Sequence, residues 1–167
     1  GCGSAFFLVH GMSDVGDFEK AETEAAMHFL DCATETGLER IVYLGGLKPA
    51  RCVSTHLRSR LVTGAILRSG KVSTIELRAS MIIGQESASW RMLRDIAVRL
   101  PVMVVPRWLH NRTQPVAIDD VTAALAGALM LETKGSTYYD IPGPETLTFH
   151  DCIRRVARLV GNRPVMI

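Results

Sequence analysis

The sequence predicts an α/β fold: a mostly parallel sheet with flanking helices. Three observations carry this. The almost purely apolar run AFFLVH (Ala5–His10), the apolar run RIVYL (Arg40–Leu44) and the segment STIELR (Ser73–Arg78) read as three strands. Such runs fit strands covered on both faces, as in parallel sheets. Stretches with helical spacing stand between them, and strand–helix alternation argues for right-handed parallel crossovers. Glycines and prolines punctuate the joins, with Gly37, Gly45-Gly46, Gly70 and Pro101 each at the end of an apolar or periodic segment.

The elements follow in order. The first strand ends at His10 and leads into the turn residues Gly11-Met12-Ser13-Asp14. A helix is expected from about Asp17, a capping residue. Its buried stripe is expected to be Phe18, Ala21, Ala25, Phe29 and Cys32, with Gly37 as its stop. A helix from Thr55 to Ser69 is framed by Ser54 as cap and Gly70 as stop. Met81-Ile82-Ile83 runs on from the third strand into Gly84. Further helices are expected over about 87–100, from the cap residues Asp119-Asp120 through Leu131, and from Thr148 to Gly161. Short extended segments are expected at Val102–Val105 and Thr137–Asp140.

The 167 residues fit one domain. Residues 1–4 read as a cloning remnant and residues 5–167 as a single domain, with no repeat or linker dividing it. The 19 basic and 17 acidic residues leave a net charge of +2. That balance gives no case for nucleic acid or an anionic membrane as partner. No apolar run approaches the ~20 residues of a membrane span, and the first residues lack the pattern of a signal peptide. The four cysteines are widely spaced without a C-x-x-C pair. They read as free thiols in a cytoplasmic protein. No histidine or cysteine spacing matches a metal site, so no metal is expected.

Four stretches carry a resemblance: RIVYLGGL (Arg40–Leu47), LRASMIIG (Leu77–Gly84), QPVAIDDV (Gln114–Val121) and YDIPGPETLTFHD (Tyr139–Asp151). In this order they resemble the C-terminal part of atypical extended short-chain dehydrogenases, the group related to NmrA-like and complex-I-associated NAD(P)-binding proteins. The resemblance implies a truncated Rossmann-like fold and NAD(P) as the family's cofactor. It also implies that AFFLVH corresponds to the family's fourth strand, so the first three are missing. With them goes the fingerprint G-x-x-G-x-x-G, whose amides cradle the pyrophosphate at a helix N-terminus. Gly1-x-Gly3 precedes a strand instead of following one and is a decoy. No cofactor is therefore expected to bind the isolated chain.

The resemblance also locates the catalytic pair. Where members carry Tyr-x-x-x-Lys, this chain reads His56-Leu57-Arg58-Ser59-Arg60. His56 can donate a proton near neutral pH, and Arg60 can favour its neutral form. The family's serine is replaced by Gly45 or Gly46. The competing reading of His56 and Arg60 is the polar face of a helix. A residual cofactor pocket is expected at the carboxyl ends of the strands, from His10, Gly11, Gly45, Gly46, Arg78 and Ser80. In the loop PRWLHNR, Arg107 and Arg112 can hold an anionic substrate group and Trp108 can stack on a ring. The competing reading is a solvated surface loop, and helix capping accounts for Asp119 and Asp120.

Two classes of function follow. One is an NAD(P)-dependent oxidoreductase or epimerase-type enzyme active only with its missing N-terminal half. The other, favoured for this chain alone, is a short-chain-dehydrogenase-like protein of unknown substrate that is not a competent reductase by itself, or a module binding a small molecule or a partner. Without its neighbouring strands, the segment at residues 5–10 becomes an unprotected edge, and a homodimer through it is expected.

Overall fold

The structure, a computed structural model, describes residues 1–9, 18–49, 54–99, 102–103, 107–162 and 165–166. In chain order the elements are the strand Ser4–Phe7 (β1), the helix Phe18–Glu35 (α1), the strand Arg40–Gly46 (β2), the helix Thr55–Ser69 (α2) and the strand Ser73–Ala79 (β3). Then come the strand Ile82–Ile83 (β4), the helix Ala88–Arg99 (α3), the strand Val102–Met103 (β5) and a 3-10 turn at Arg107–His110. The strands Arg112–Thr113 (β6) and Val116–Ala117 (β7) lead into the helix Ile118–Met130 (α4). The strands Thr137–Ile141 (β8) and Leu147–Thr148 (β9), the helix Phe149–Leu159 (α5) and the strand Val165–Met166 (β10) complete the chain. The fold is α/β and Rossmann-like, with a parallel main sheet, as the alternating pattern implies.

The chain divides into two compact units. The first joins Gly1–Ala79 to Thr122–Ile141, and the second joins Ser80–Val121 to Pro142–Ile167. The first unit holds the sheet, in the order β1-β2-β3-β8, all parallel. Tyr43 lies beside Glu76 and Glu76 beside Tyr138, so these three share one face. On that face Phe7, Ile41 and Tyr43 pack with Ala26 and Ala33 of α1 and Leu67 of α2. On the other face Val42, Ile75 and Leu77 pack with Ala128 of α4. Ile41, Val42 and Ile75 are fully buried, each contributing about 1.5–3 kcal/mol. Arg40 fastens the end of α4, its Nη1 donating to the carbonyls of Leu129 at 2.6 Å and Ala128 at 3.3 Å. Those terminal carbonyls have no partner within the helix.

Local chemistry sets the helix bounds. Ser54 caps α2, accepting from the Leu57 amide at 3.3 Å, and the helix runs Thr55–Ser69 as its spacing predicts. Gly37 takes a φ of +67°, and Leu38 N–H reaches back to the Ala33 carbonyl at 2.9 Å, the closure a left-handed glycine allows. The buried stripe of α1 differs from the expected one. Glu22, Ala26 and Ala33 are buried, while Ala21 and Cys32 are exposed. The stripe is displaced by one residue because Glu22 turns inward to accept a hydrogen bond from Ser59 of α2. Asp17 and Phe18's side chain lie outside the described residues. Asp119 and Asp120 also differ from expectation. They sit inside the first turn of α4 and not before it, where their charge still favours the positive end of the helix.

The second unit packs Met81, Leu93, Ala97 and Leu109 against Cys152, Ile153, Val156 and Ala157. Its strands pair two by two: β4 with β7 and β5 with β10 in parallel, β6 with β9 antiparallel. Thr148 and Asp151 close a capping box at the start of α5. Among the described residues no helix is long and apolar enough to cross a membrane.

Candidate functional site at the strand ends

The carboxyl ends of β2 and β3 lie side by side, with Gly45 beside Arg78 and Gly46 beside Ala79. Three of the expected pocket residues, Gly45, Gly46 and Arg78, are thus brought together. What occupies the space around them is a side chain that periodicity alone did not single out. Glu76 is 0% exposed. Its carboxylate accepts from Arg78 Nε at 3.0 Å and Nη2 at 3.2 Å, and from Arg68 Nε of α2 at 2.8 Å. A buried carboxylate needs such partners, because its desolvation is otherwise prohibitive. Tyr138 of β8 covers the group: its ring centroid lies 3.7 Å from the Arg78 guanidinium carbon and 5.4 Å from that of Arg68. Burial works to lower the Arg78 pKa, but the hydrogen bond and charge of Glu76 outweigh it and hold Arg78 above its ordinary value.

This cluster decides what the two glycines can do. A Cβ at Gly45 would lie 2.7 Å from Glu76 Oε1 and 3.1 Å from Tyr43 Cε1. One at Gly46 would lie 2.4 Å from Leu57 Cδ1 and 3.7 Å from Arg60 Cδ. The space these glycines free is therefore filled by the chain's own side chains. His10 and Gly11 lie outside the described residues.

His56 stands exposed in the first turn of α2, and Arg60 is half-buried one turn further on. Their i, i+4 spacing puts them on one side of the helix. The Arg60 carbonyl accepts the hydroxyl of Tyr43 at 3.0 Å. Burial pushes the Tyr43 phenol well above its ordinary pKa; Arg60 opposes this, and Glu76 and Glu22 reinforce it. Tyr43 therefore stays protonated and serves as a hydrogen-bond donor between β2 and α2.

The remaining expected residues belong to the second unit. Ser80 Oγ lies 2.9 Å from Thr113 Oγ1 and accepts from the Gln114 amide at 3.3 Å. These bonds pin the segment after β3 to β6. The Arg107–His110 turn is anchored by Leu109, which is fully buried. Trp108 is 50% exposed and meets Phe149 edge-on at 6.0 Å. Arg112 is exposed on β6, opposite Thr148. Trp108 and Arg112 are thus both exposed residues of the second unit. The Arg107 side chain lies outside the described residues. Among those described, no three His, Cys, Asp or Glu side chains are grouped to hold a metal.

No family model matches the chain, and no curated protein matches it in sequence. Solved structures do match in fold. MoeE5 in complex with UDP-glucose and NAD is 15% identical, with a TM-score of 0.81, over 98% of this chain and 64% of that one. A UDP-glucose 4-epimerase from Thermotoga maritima, with UDP-glucose, is 13% identical, with a TM-score of 0.77, over 99% of this chain and 64% of that one. The Bordetella bronchiseptica enzyme WbmG in complex with NAD is 13% identical, with a TM-score of 0.77, over 99% and 58%. The chain thus spans about three fifths of the structures it matches, and it has the fold of that part of them.

Proposed function

We propose that this chain is a short-chain-dehydrogenase-like module that binds an anionic, ring-bearing small molecule and is not a competent reductase by itself. The observation that carries the second half is the filled strand end: Glu76 and Leu57 occupy the space beside Gly45 and Gly46, and His56 and Arg60 stand where the resembled family has its Tyr and Lys. The first half rests on Trp108 and Arg112, an exposed aromatic and an exposed guanidinium on a hydrogen-bonded scaffold. Stacking on the ring and a forked contact to the anion would share the recognition. Fold-matched structures contain UDP-sugars, so a nucleotide sugar is the ligand class proposed. A cytoplasmic setting is part of this proposal, in keeping with the exposed free thiol of Cys32.

Calorimetric titration with UDP-glucose, NADH and NADPH tests the reading. Saturable UDP-glucose binding that is lost in Trp108→Ala and Arg112→Ala supports it. Low-micromolar binding of either nicotinamide nucleotide, or no UDP-glucose binding at millimolar concentration, overturns it. A second reading is favoured by the coverage of the matched structures, which carry further chain. In it, the same surface works in an NAD(P)-dependent oxidoreductase or epimerase once a nucleotide-binding segment is added. Adding such a segment in trans and recovering NADH binding would favour that reading.

A further inference from the structure

The seam between α1 and α2 changes chemistry along its length. The strands β1, β2 and β3 run parallel, so the helices that join them run back against the strands and begin at their carboxyl ends. Toward the far end of the seam the contact is apolar. Ala26 and Ala33 are buried with Leu67, and Phe29, Leu30 and Ile66 pack against them. Gly70 lets α1 come close there: a Cβ at that position would stand 2.4 Å from Leu30 Cδ1. Near the carboxyl ends the contact is polar. Among the described side chains of residues 19–25, Glu22 alone is buried, and it accepts a hydrogen bond from Ser59 of α2. Glu19 meets Arg58 at 2.9 Å on the exposed rim. The buried stripe of α2 follows the same order, with Ser59 and Thr63 before Leu67.

The two halves of the seam respond differently to water. Parting the apolar half exposes hydrocarbon and gains nothing in return. Parting the polar half breaks a hydrogen bond to a charged group, but it also returns a buried carboxylate to the solvent that stabilises it best. The rim pair of Glu19 and Arg58 adds little, because exposed ion pairs are weak. The free energy that holds α1 to α2 is therefore concentrated from Ala26 onward, and partial opening follows boundaries of that kind.

We propose that the start of α1, residues 18–25, is a flap that opens from α2 while residues 26–35 stay docked, with the Glu22–Ser59 bond as its latch. Opening brings the Glu22 carboxylate and the Ser59 hydroxyl to solvent at the carboxyl ends of the strands, the side on which open α/β sheets take their ligands. An apolar residue in place of Glu22 would hold the flap shut; the carboxylate keeps closed and open forms near balance. The seam lies wholly within the first unit. The proposal is independent of the ligand reading, since neither Trp108 nor Arg112 takes part.

Amide hydrogen exchange of the full 167-residue chain, resolved by residue, tests it. In the parent chain the amides of residues 22–25 should exchange through one common opening that low urea hardly changes, because it exposes little surface. A fraying helix end would instead show a dependence graded from residue to residue. The amides of residues 29–33 should exchange only through a urea-sensitive unfolding. Ser59→Ala removes the latch, so exchange at residues 22–25 should quicken roughly tenfold, with residues 29–33 unchanged. Glu22→Met combined with Ser59→Ala makes the polar half apolar and should slow exchange at residues 22–25 below the parent rate. The parent measurement stands even where a variant does not fold. One urea dependence for the whole of α1, a graded one over residues 22–25, no change or an equal change in both halves in Ser59→Ala, or a double variant that exchanges no slower than the parent overturns the proposal.

Discussion

Gly64 of α2 lies directly over the carboxylate of Glu76: a Cβ at position 64 would stand 2.5 Å from Oε1, 2.6 Å from Cδ and 2.7 Å from Oε2. The helix approaches the sheet that closely because nothing projects between them. Glu76 cannot swing aside, since two arginines hold it. Alanine in a helix interior ordinarily gains roughly 1 kcal/mol over glycine, while overpacking a tight site costs about 1–3 kcal/mol. Gly64→Ala should therefore destabilise the protein by a net ~1–2 kcal/mol, against the helix-propensity trend. Urea unfolding of the two proteins measures it, and a more stable variant would contradict the close approach.

Glu76→Gln keeps the shape of the side chain and removes its charge. Arg68 and Arg78 would then stand together, largely buried, without their anion. Breaking a buried pair in this way costs about 3–5 kcal/mol. Glu76→Gln should lower the melting temperature sharply, and combining it with Arg78→Met should cost less than the sum of the two single changes. Additive losses would show that the groups do not act together.

The thiols should separate by reactivity. Burial, and then the charge of Asp151, push the Cys152 thiol above its ordinary pKa, whereas Cys2 and Cys32 are exposed. The thiolate is the reactive form. Iodoacetamide at neutral pH followed by peptide mapping should label Cys2 and Cys32 first, and Cys152 only when the protein is unfolded. Equal labelling of all three in the folded protein would argue against the described core of the second unit.

The start of α5 predicts a pH dependence. The Thr148 hydroxyl and then its backbone N–H, donating at 2.6 and 3.2 Å, hold the Asp151 carboxyl below the usual carboxylate range. A depressed folded-state pKa contributes stability that is present above the unfolded value, ~3.9 for aspartate, and lost as pH falls through the folded one. Thr148→Ala should cost ~1 kcal/mol at neutral pH, as loss of a helix cap does. The gap between parent and variant should narrow below about pH 4. A gap that stays constant down to pH 2 would show that the Asp151 charge contributes nothing to the cap.

The sequence carries the framework of the sheet well, because β2 is an apolar run bounded by turn residues, β3 is a short segment set between Gly70 and Gly84, and α2 begins and ends where Ser54 and Gly70 place it. Helix phase is less legible. In α1 an acidic residue, Glu22, replaces the expected apolar one on the buried side, since a partner hydroxyl on Ser59 outweighs the preference of a carboxylate for water. The site shows the same limit. Arg78 reads as a ligand-facing residue at a strand end, but its guanidinium is committed to Glu76. The available signal was spacing: Glu76 and Arg78 are two apart in one strand and opposite in charge, so they share a face and can pair. Arg68 and Tyr138 come from elements that no local pattern ties to β3.

The way the chain returns to its sheet has a consequence for synthesis. The strand β8 joins β3 by placing Thr137 beside Ile75 and Ile141 beside Ala79, while the whole of Ser80–Val121 belongs to the other unit. Neither unit is one continuous stretch. As the polypeptide leaves the ribosome, Glu76 and its arginines therefore emerge well before Tyr138, the ring that shields them. Pairings between such distant stretches form late and slowly, and an open sheet face is prone to stray association while it waits. The nascent chain thus carries an unfinished fourth-strand position until Ile141 is out, and a release site placed upstream of Thr137 would yield a product that cannot complete its sheet.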